Sequence, residues 1–413
     1  MPLTDPLSQV LLALAAVIAA GVVLGKLVGF LGQPPVIGEV LAGIVLGPSL
    51  LGARLSGMLL PATATPLLGI LAQLGILLYM FTVGLELSGG SLRQQVKTLA
   101  VTSLASLLVP FLLGMALTPV LFIRFAHKEA SLTSFSLFMG ISLSVTAFPV
   151  LARILTDRQM FQTPLGTLAL ACAAIGDVIA WCLLAIVVGV AKAQVGVGVT
   201  IVWGTLGYLA AMLLIVRPLA RRLMRHWGDE PLTPARGALV LVAVLLSALA
   251  TEEIGIHAVF GAFLLGAILP HQSTLAQTLI RQLQPVVSTL LLPAFFALTG
   301  MRTRIDFLSE GSAWLICAGI ILVATLGKVG GTFFAARGTG VGARDALVLG
   351  ALMNTRGLME LIVLNIGLDL HVISPTLFAM MVVMALVTTM MTAPALLWLL
   401  PDSRKTTQWR QHD

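Results

Sequence analysis

Apolar runs of about 20 residues, separated by short polar loops, repeat along the whole chain. A helix needs about 20 consecutive apolar residues to cross a bilayer, so these runs constrain the fold before any motif is considered. They fall at roughly 8–25, 35–52, 66–86, 98–123, 133–155, 163–191, 199–216, 237–253, 256–270, 286–300, 312–336, 345–367 and 374–399. Backbone polar groups in lipid must be satisfied within the segment, which selects helices. The chain is therefore predicted to be an all-α polytopic membrane protein with about 13 transmembrane helices. Only 10% of the 413 residues are charged and mean hydropathy is +1.04, which leaves no room for a sizeable aqueous domain. The eighth and ninth runs are short and closely joined.

The net charge of +7 does not indicate nucleic acid, because Lys and Arg collect on one side of the membrane. With the N-terminus outside, sixteen of the 24 Lys/Arg fall inside. Six fall outside: Arg54, Arg124, Lys128, Lys192, Arg302 and Arg304. Lys328 and Arg356 lie within runs. The expected location is the inner cell membrane, with the C-terminus cytoplasmic. The longest basic loop, Arg217–Arg236, joins the seventh and eighth runs. The N-terminus has neither a basic region nor a small-residue cleavage site, so the first run is expected to be retained. Cys172, Cys182 and Cys317 sit in apolar runs as small packing residues, and no pair has metal spacing.

The chain divides into similar halves. VIGEVLAGIVLGP (Val36–Pro48) resembles HAVFGAFLLGAILP (His257–Pro270) in its spaced glycines and closing proline. The fifth run carries SVTAFPVLARIL and the twelfth NTRGLMELIVL, each with a polar, Pro- or Gly-interrupted patch in mid-run. We expect two inverted six-helix repeats, at about 8–191 and 237–399, joined by a linker helix at about 199–216. Residues 400–413 are expected to be a short cytoplasmic tail with no regulatory domain. Paired interrupted spans in the two halves point to a transporter's binding site.

Asp177 is the one charge in the run 163–191, near the bilayer midplane. Placing it there costs about 2.5–3.5 kcal/mol on insertion scales. It is a proton relay, an ion ligand or half of a buried ion pair. Pro149 removes a backbone donor and frees a carbonyl near Val145, beside the Thr146 hydroxyl. Freed carbonyls coordinate cations in broken-helix transporters, although a simple proline kink is also common. Arg356 and Glu360 are four residues apart and can pair on one helix face. Lys328 is then either the counter-charge of Asp177 or a charge holding broken helix ends together. Glu39 either benefits from the dipole of the second helix, which starts at Pro34-Pro35, or lines the ion pathway. Glu86, Glu252 and Glu253 close spans as mouth or interface charges, and His257 is a packing residue. No phosphate-binding loop, GxSxG or basic-aromatic stripe is present, so an ion gradient is the expected energy source.

Seven stretches together resemble one family: QPPVIGEVLAGIVLGPSLLG, LSVTAFPVLARIL, AAIGDVIAW, GIHAVFGAFLLGAILP, LLPAFFALTGMRTRI, LGALMNTRGLMELIVLNIGLDLHVIS and MALVTTMMTAPAL. In order and spacing they resemble the monovalent cation:proton antiporter-2 family, in particular the membrane domain of plant-type cation/H+ exchangers. The resemblance implies a sodium/proton antiporter-like fold with unwound, crossing fifth and twelfth helices beside the sixth. It implies a second domain that forms a homodimer. It assigns Asp177 as the aspartate that binds either proton or cation, with Thr146 on the unwound helix. Lys328, Asn354 and Arg356 fall near the crossing. Two positions depart from the family: Gly176 replaces a polar residue before the aspartate, and Ala173 replaces a Ser found in some relatives.

The expected function is exchange of H+ for a monovalent cation, Na+ or K+, through one carboxylate and without a cofactor or an enzymatic step. The candidate cation ligands are Asp177 and Thr146, with Val145 and Gly176 beside them. A gated K+ efflux pathway and an H+-coupled exporter of a small organic substrate are the alternatives.

Overall fold

The computed structural model describes residues 5–47, 52, 56–61, 63–86, 95–128, 130–191, 195–227, 233–270, 273–301 and 311–400. Arg54, Arg93, Lys192, Arg302, Arg304 and the expected tail beyond Leu400 lie outside them. The described chain is helical apart from short connections and one isolated antiparallel bridge, Ala126–Ile373.

The helices are α1 (Pro6–Phe30), α2 (Pro35–Leu46), α3 (Thr65–Glu86), α4 (Val96–Ala116), α5 (Thr118–Phe125), α6 (Leu132–Ser144) and α7 (Phe148–Asp157). They continue as α8 (Pro164–Ala191), α9 (Val195–Ala211), α10 (Arg217–Trp227), α11 (Pro234–Ile254), α12 (Ala258–Ile268), α13 (Thr274–Val286) and α14 (Leu292–Met301). The last are α15 (Gly311–Thr325), α16 (Gly331–Gly338), α17 (Ala343–Met353), α18 (Leu358–Asp369) and α19 (Pro375–Leu399). Three π-helical turns, Met212–Val216, Val287–Leu291 and Leu326–Gly330, join α9 to α10, α13 to α14 and α15 to α16. Ten segments are long and apolar enough to cross a membrane, and α2 and α12 are shorter apolar helices.

Local sequence explains where helices begin and end. Asp5, Ser131, Thr233 and Ser374 each accept a backbone N–H of the following turn. Proline opens α1, α2, α11 and α19, where its missing donor costs nothing. Gly255 ends α11 at φ +96°, a conformation that favours glycine. Two expectations change. The eighth run is a full 21-residue helix, α11, and only the ninth is short. The basic loop expected at Arg217–Arg236 begins as helix: Arg217–Trp227 continues the seventh span through a π turn, with Pro218 in the first turn that follows.

The helices pack as two groups. The first holds α1–α3 and α11–α14, and the second holds α4–α8 and α15–α19. The α9 helix touches α8 in one group and α11 in the other. Between the groups, α2 and α3 meet α7, and α14 meets α18.

Glycines set the packing of the first group. A Cβ at Gly43 of α2 would collide with the Ala297 carbonyl of α14, and one at Gly300 with the Val40 carbonyl. The same relation recurs between α12 and α3, where Gly266 abuts the Phe81 carbonyl and Gly84 the Phe263 carbonyl. Gly38 meets the backbone of α1 at Leu24–Gly25, and Gly261 meets that of α11 at Ser247. The matched spacings Gly38/Gly43 and Gly261/Gly266 therefore produce matched helix crossings. Such close approach is how membrane helices gain packing energy without a hydrophobic drive. Gly43→Ala and Gly266→Ala are expected to destabilise the detergent-solubilised protein by about 1–3 kcal/mol each. Gly69→Ala, which meets nothing within 4 Å, should be neutral or stabilising by up to ~1 kcal/mol. Thermal unfolding of the three variants checks the ranking.

Candidate functional site

Two broken helices cross inside the second group. The fifth span stops at Ser144 and resumes at Phe148, and the twelfth stops at Met353 and resumes at Leu358. Pro149 sits in the first turn of α7, where it needs no backbone donor. The breaks hold each other directly. The Ala147 N–H donates to the Thr355 carbonyl (2.9 Å), and the Thr146 hydroxyl donates to the Met353 carbonyl (3.1 Å). Gly357 allows the close crossing, since a Cβ there would lie 2.7 Å from Val150 Cγ2.

Each half-helix end carries a partial charge that lipid cannot solvate. The C-terminal carbonyls of α6 are taken up by two buried cations. Arg356 donates to the Ser142 carbonyl (3.0 Å) and the Leu143 carbonyl (2.6 Å). Lys328, on the π turn before α16, donates to the Ser106 carbonyl (2.8 Å) and the Ser144 carbonyl. Lys328 thus holds the broken helix end rather than forming an ion pair with Asp177. Arg356 also pairs with Glu360 at 3.3 Å, the i,i+4 contact expected from sequence. Glu360 lies in the first turn of α18, where a carboxylate faces the positive end of the helix. The Thr389 hydroxyl of α19 lies 2.8 Å from both the N–H and the carbonyl of Arg356.

Asp177 comes from α8 and is 1% exposed. Neither carboxylate oxygen has a hydrogen-bond partner of ordinary geometry, although the backbone N–H of Phe148 points at the carboxylate. Its electrostatic neighbours are the Lys328 ammonium and the backbone N–H of Phe148, the first residue of α7. The carboxylate therefore faces the positive pole of one half-helix, close to the cations that neutralise the negative pole of the other. Val145 is buried, with its backbone extended between α6 and the break. Gly176 borders open space, as a Cβ there meets nothing within 4 Å. Ala173 is fully buried on the same helix. Asn354 ends α17 and is buried, with Oδ1 unpartnered.

The remaining candidates lie away from this centre. Glu39 is in the second turn of α2 and gives no N-terminal cap; its Oε1 faces Arg153 of α7 at 3.6 Å. Arg153, counted from sequence as an inner-loop charge, is instead largely buried within a helix. Glu86 ends α3 half-buried. Glu252 accepts the Ala258 N–H (2.8 Å), and His257 caps α12 through Nδ1. Sequence reasoning missed Thr389, Gly357 and the Glu39–Arg153 contact. The spacing of Thr388, Thr389 and Thr392 in an otherwise apolar helix was the available signal for the first.

The partners of these charges imply opposite stability effects. Removing Arg356 strands two buried carbonyls and Glu360, so Arg356→Gln is expected to cost ~3–5 kcal/mol. Asp177→Asn removes a buried charge with no hydrogen-bond partner of ordinary geometry, and should leave the melting temperature unchanged or higher. Melting curves of the purified variants test this contrast.

Comparison with known proteins places the chain. It matches the family described as sodium/hydrogen exchanger, transmembrane, over residues 12–399. It is 42% identical to the Na(+)/H(+) antiporter NhaS4 of Synechocystis over 96% of this chain and 98% of that protein. Identity is 36% to Cation/H(+) antiporter 20 of Arabidopsis thaliana, over 98% of this chain and 50% of that one. It is 32% to K(+)/H(+) antiporter 1 of Saccharomyces cerevisiae, over 90% and 44% respectively. The chain thus spans about half the length of those plant and yeast relatives. Its fold resembles that of the sodium proton antiporter MjNhaP1 from Methanocaldococcus jannaschii (TM-score 0.68, 15% identity, 98% and 100% covered). The chain is a multi-pass membrane protein of the sodium/hydrogen exchanger family.

Proposed function

We propose that this protein exchanges H+ for Na+ or K+ by letting the two compete for Asp177, one for one. The observation that carries this reading is the free carboxylate. Of the two acids at the crossing, Glu360 is bound to Arg356, whereas both oxygens of Asp177 are buried and unpartnered. A buried, unneutralised carboxylate is costly. A proton removes the charge, and a monovalent cation compensates it. One carboxylate holds one or the other, and this competition produces exchange without a cofactor. The relatives named as Na(+)/H(+) and K(+)/H(+) antiporters support the substrate class and leave both cations open.

For the cation, the Thr146 hydroxyl and the Val145 carbonyl are the ligands available beside Asp177. The Thr146 hydroxyl proton is engaged with Met353, which leaves its lone pairs free to coordinate. The crossing helices with α8 then form a core that moves against the first group, which carries the interface of a homodimer. The matched glycine crossings support two inverted repeats joined by α9. The positive-inside asymmetry of Lys and Arg supports a cytoplasmic C-terminus and an inner-membrane location.

Asp177→Asn is expected to abolish cation-dependent pH change in proteoliposomes tested with Li+, Na+, K+ and Rb+. Normal exchange by that variant would remove Asp177 from the mechanism. One-for-one exchange moves no net charge, so the wild-type rate should not respond to a potential set with valinomycin. A rate that follows the potential would rule out that stoichiometry.

A further inference from the structure

Beside their central apolar contact, the two helix groups also meet at two corners, which differ in chemistry. At the α1–α2 corner, three polar links join the first group to the second. Arg153 Nη2 on α7 lies 3.6 Å from Glu39 Oε1 on α2. Arg158, the residue ending α7, donates to the Gly32 carbonyl. Gln33 Nε2 donates to the Met390 carbonyl of α19 at 2.9 Å. Asp157 holds Arg153 from the next turn at 3.3 Å. The corner itself is tight: Gly32 takes φ +70°, and a Cβ there would lie 2.9 Å from Leu397 Cδ1. At the corresponding α11–α12 corner, His257 meets Trp181 of α8 ring against ring, with centroids 5.7 Å apart. Trp181 is one turn beyond Asp177 on the same helix. The ion site therefore lies between a polar, ion-paired corner and an aromatic one.

We propose that Glu39 and Arg153, with the Arg158–Gly32 and Gln33–Met390 links, form the gate that closes the cytoplasmic side of the ion site. This structure is then the cytoplasm-closed state. The inference rests on the moving-core reading above, and on the Lys/Arg asymmetry that puts the α1–α2 corner inside. Each link has one partner on each group, so displacement of the core against the first group must break all three. An apolar corner slides; an ion-paired one holds until its partners separate. The pair is also built to open. Glu39 is 6% exposed, yet its Oε2 has no partner, and neither does Asp157 Oδ2. An incompletely satisfied buried pair does not lock a state permanently. Glu39 and Arg153 thus position the moving core without touching the transported ion.

The test reads access rather than transport. Val150, beside the break and lining the cavity between the groups, becomes the reporter as Val150→Cys. The natural thiols are removed by Cys172→Ala, Cys182→Ala and Cys317→Ala. Everted vesicles are treated with a membrane-impermeant thiol reagent, which reaches the protein from its cytoplasmic face. Glu39→Gln or Arg153→Gln should speed labelling about tenfold, the population shift expected from losing ~1.4 kcal/mol of preference for the closed state. Arg153→Lys keeps the charge and should stay slow. Gln33→Ala removes a half-buried link whose loss does not threaten folding, and should give a smaller acceleration. Parent-like rates in all the charge-removing variants and in Gln33→Ala would overturn the gate, as would Arg153→Lys labelling as fast as Arg153→Gln. The readout is independent of Asp177: faster labelling with normal exchange by Asp177→Asn would keep the gate and discard the exchange assignment.

Discussion

A helix broken inside a bilayer leaves backbone groups that lipid cannot solvate, and the centre of this protein is organised around that cost. Two broken helices present four poles. The carbonyl end of α6 is held by Arg356 and Lys328. The carbonyl end of α17 is held by the Thr146 hydroxyl, the Ala147 N–H and the hydroxyls of Thr355 and Thr392. The amide end of α18 has Glu360 and Thr389. The amide end of α7 gives its Ala147 N–H to the Thr355 carbonyl and its Phe148 N–H to the Thr146 carbonyl, and it also faces the buried Asp177 carboxylate.

Much of this was legible in the sequence. A lone acid in an apolar run, a proline mid-run and two basic residues inside spans are anomalies against a uniform background, so Asp177, Pro149, Lys328 and Arg356 stood out. The i,i+4 spacing gave the Arg356–Glu360 pair, because that contact is local. What could not be seen was where the charges point. Lys328 was free on paper to meet either Asp177 or a helix end, and that choice depends on the π turn at Leu326–Gly330 and on the Ser106 carbonyl of α4. Arg153 looked like an inner-loop charge because it lies near the end of an apolar run. Its burial against Glu39 is a contact between residues more than a hundred positions apart. The helical start of the loop after the seventh span was missed for a different reason: Pro218 and the arginines around it read as a helix end, whereas the π turn at Met212–Val216 carries the helix past them.

The two groups use different packing for different mechanical ends. The first locks backbone to backbone through Gly43, Gly84, Gly266 and Gly300, so that any added Cβ meets a carbonyl. That contact resists sliding. Between the groups the central contact is apolar, with Phe148 against Phe263 edge to face at 4.7 Å and a cavity beside Ala147 and Pro149. Contacts of that kind have no fixed partner and can be remade after a displacement. At the α1–α2 corner the links are directional: an ion pair and two side-chain-to-carbonyl bonds hold one position.

Two basic and two acidic side chains are buried at the crossing: Lys328 and Arg356, Glu360 and Asp177. In the exchange proposed above, a proton and a monovalent cation each add one positive charge to this cluster, so the two loaded forms would carry the same charge. Had Lys328 been paired with Asp177, either substrate would first have had to displace an ammonium from a desolvated ion pair, a step costing several kcal/mol. By binding the Ser106 and Ser144 carbonyls instead, Lys328 keeps its field near Asp177 while leaving the carboxylate outside an ion pair.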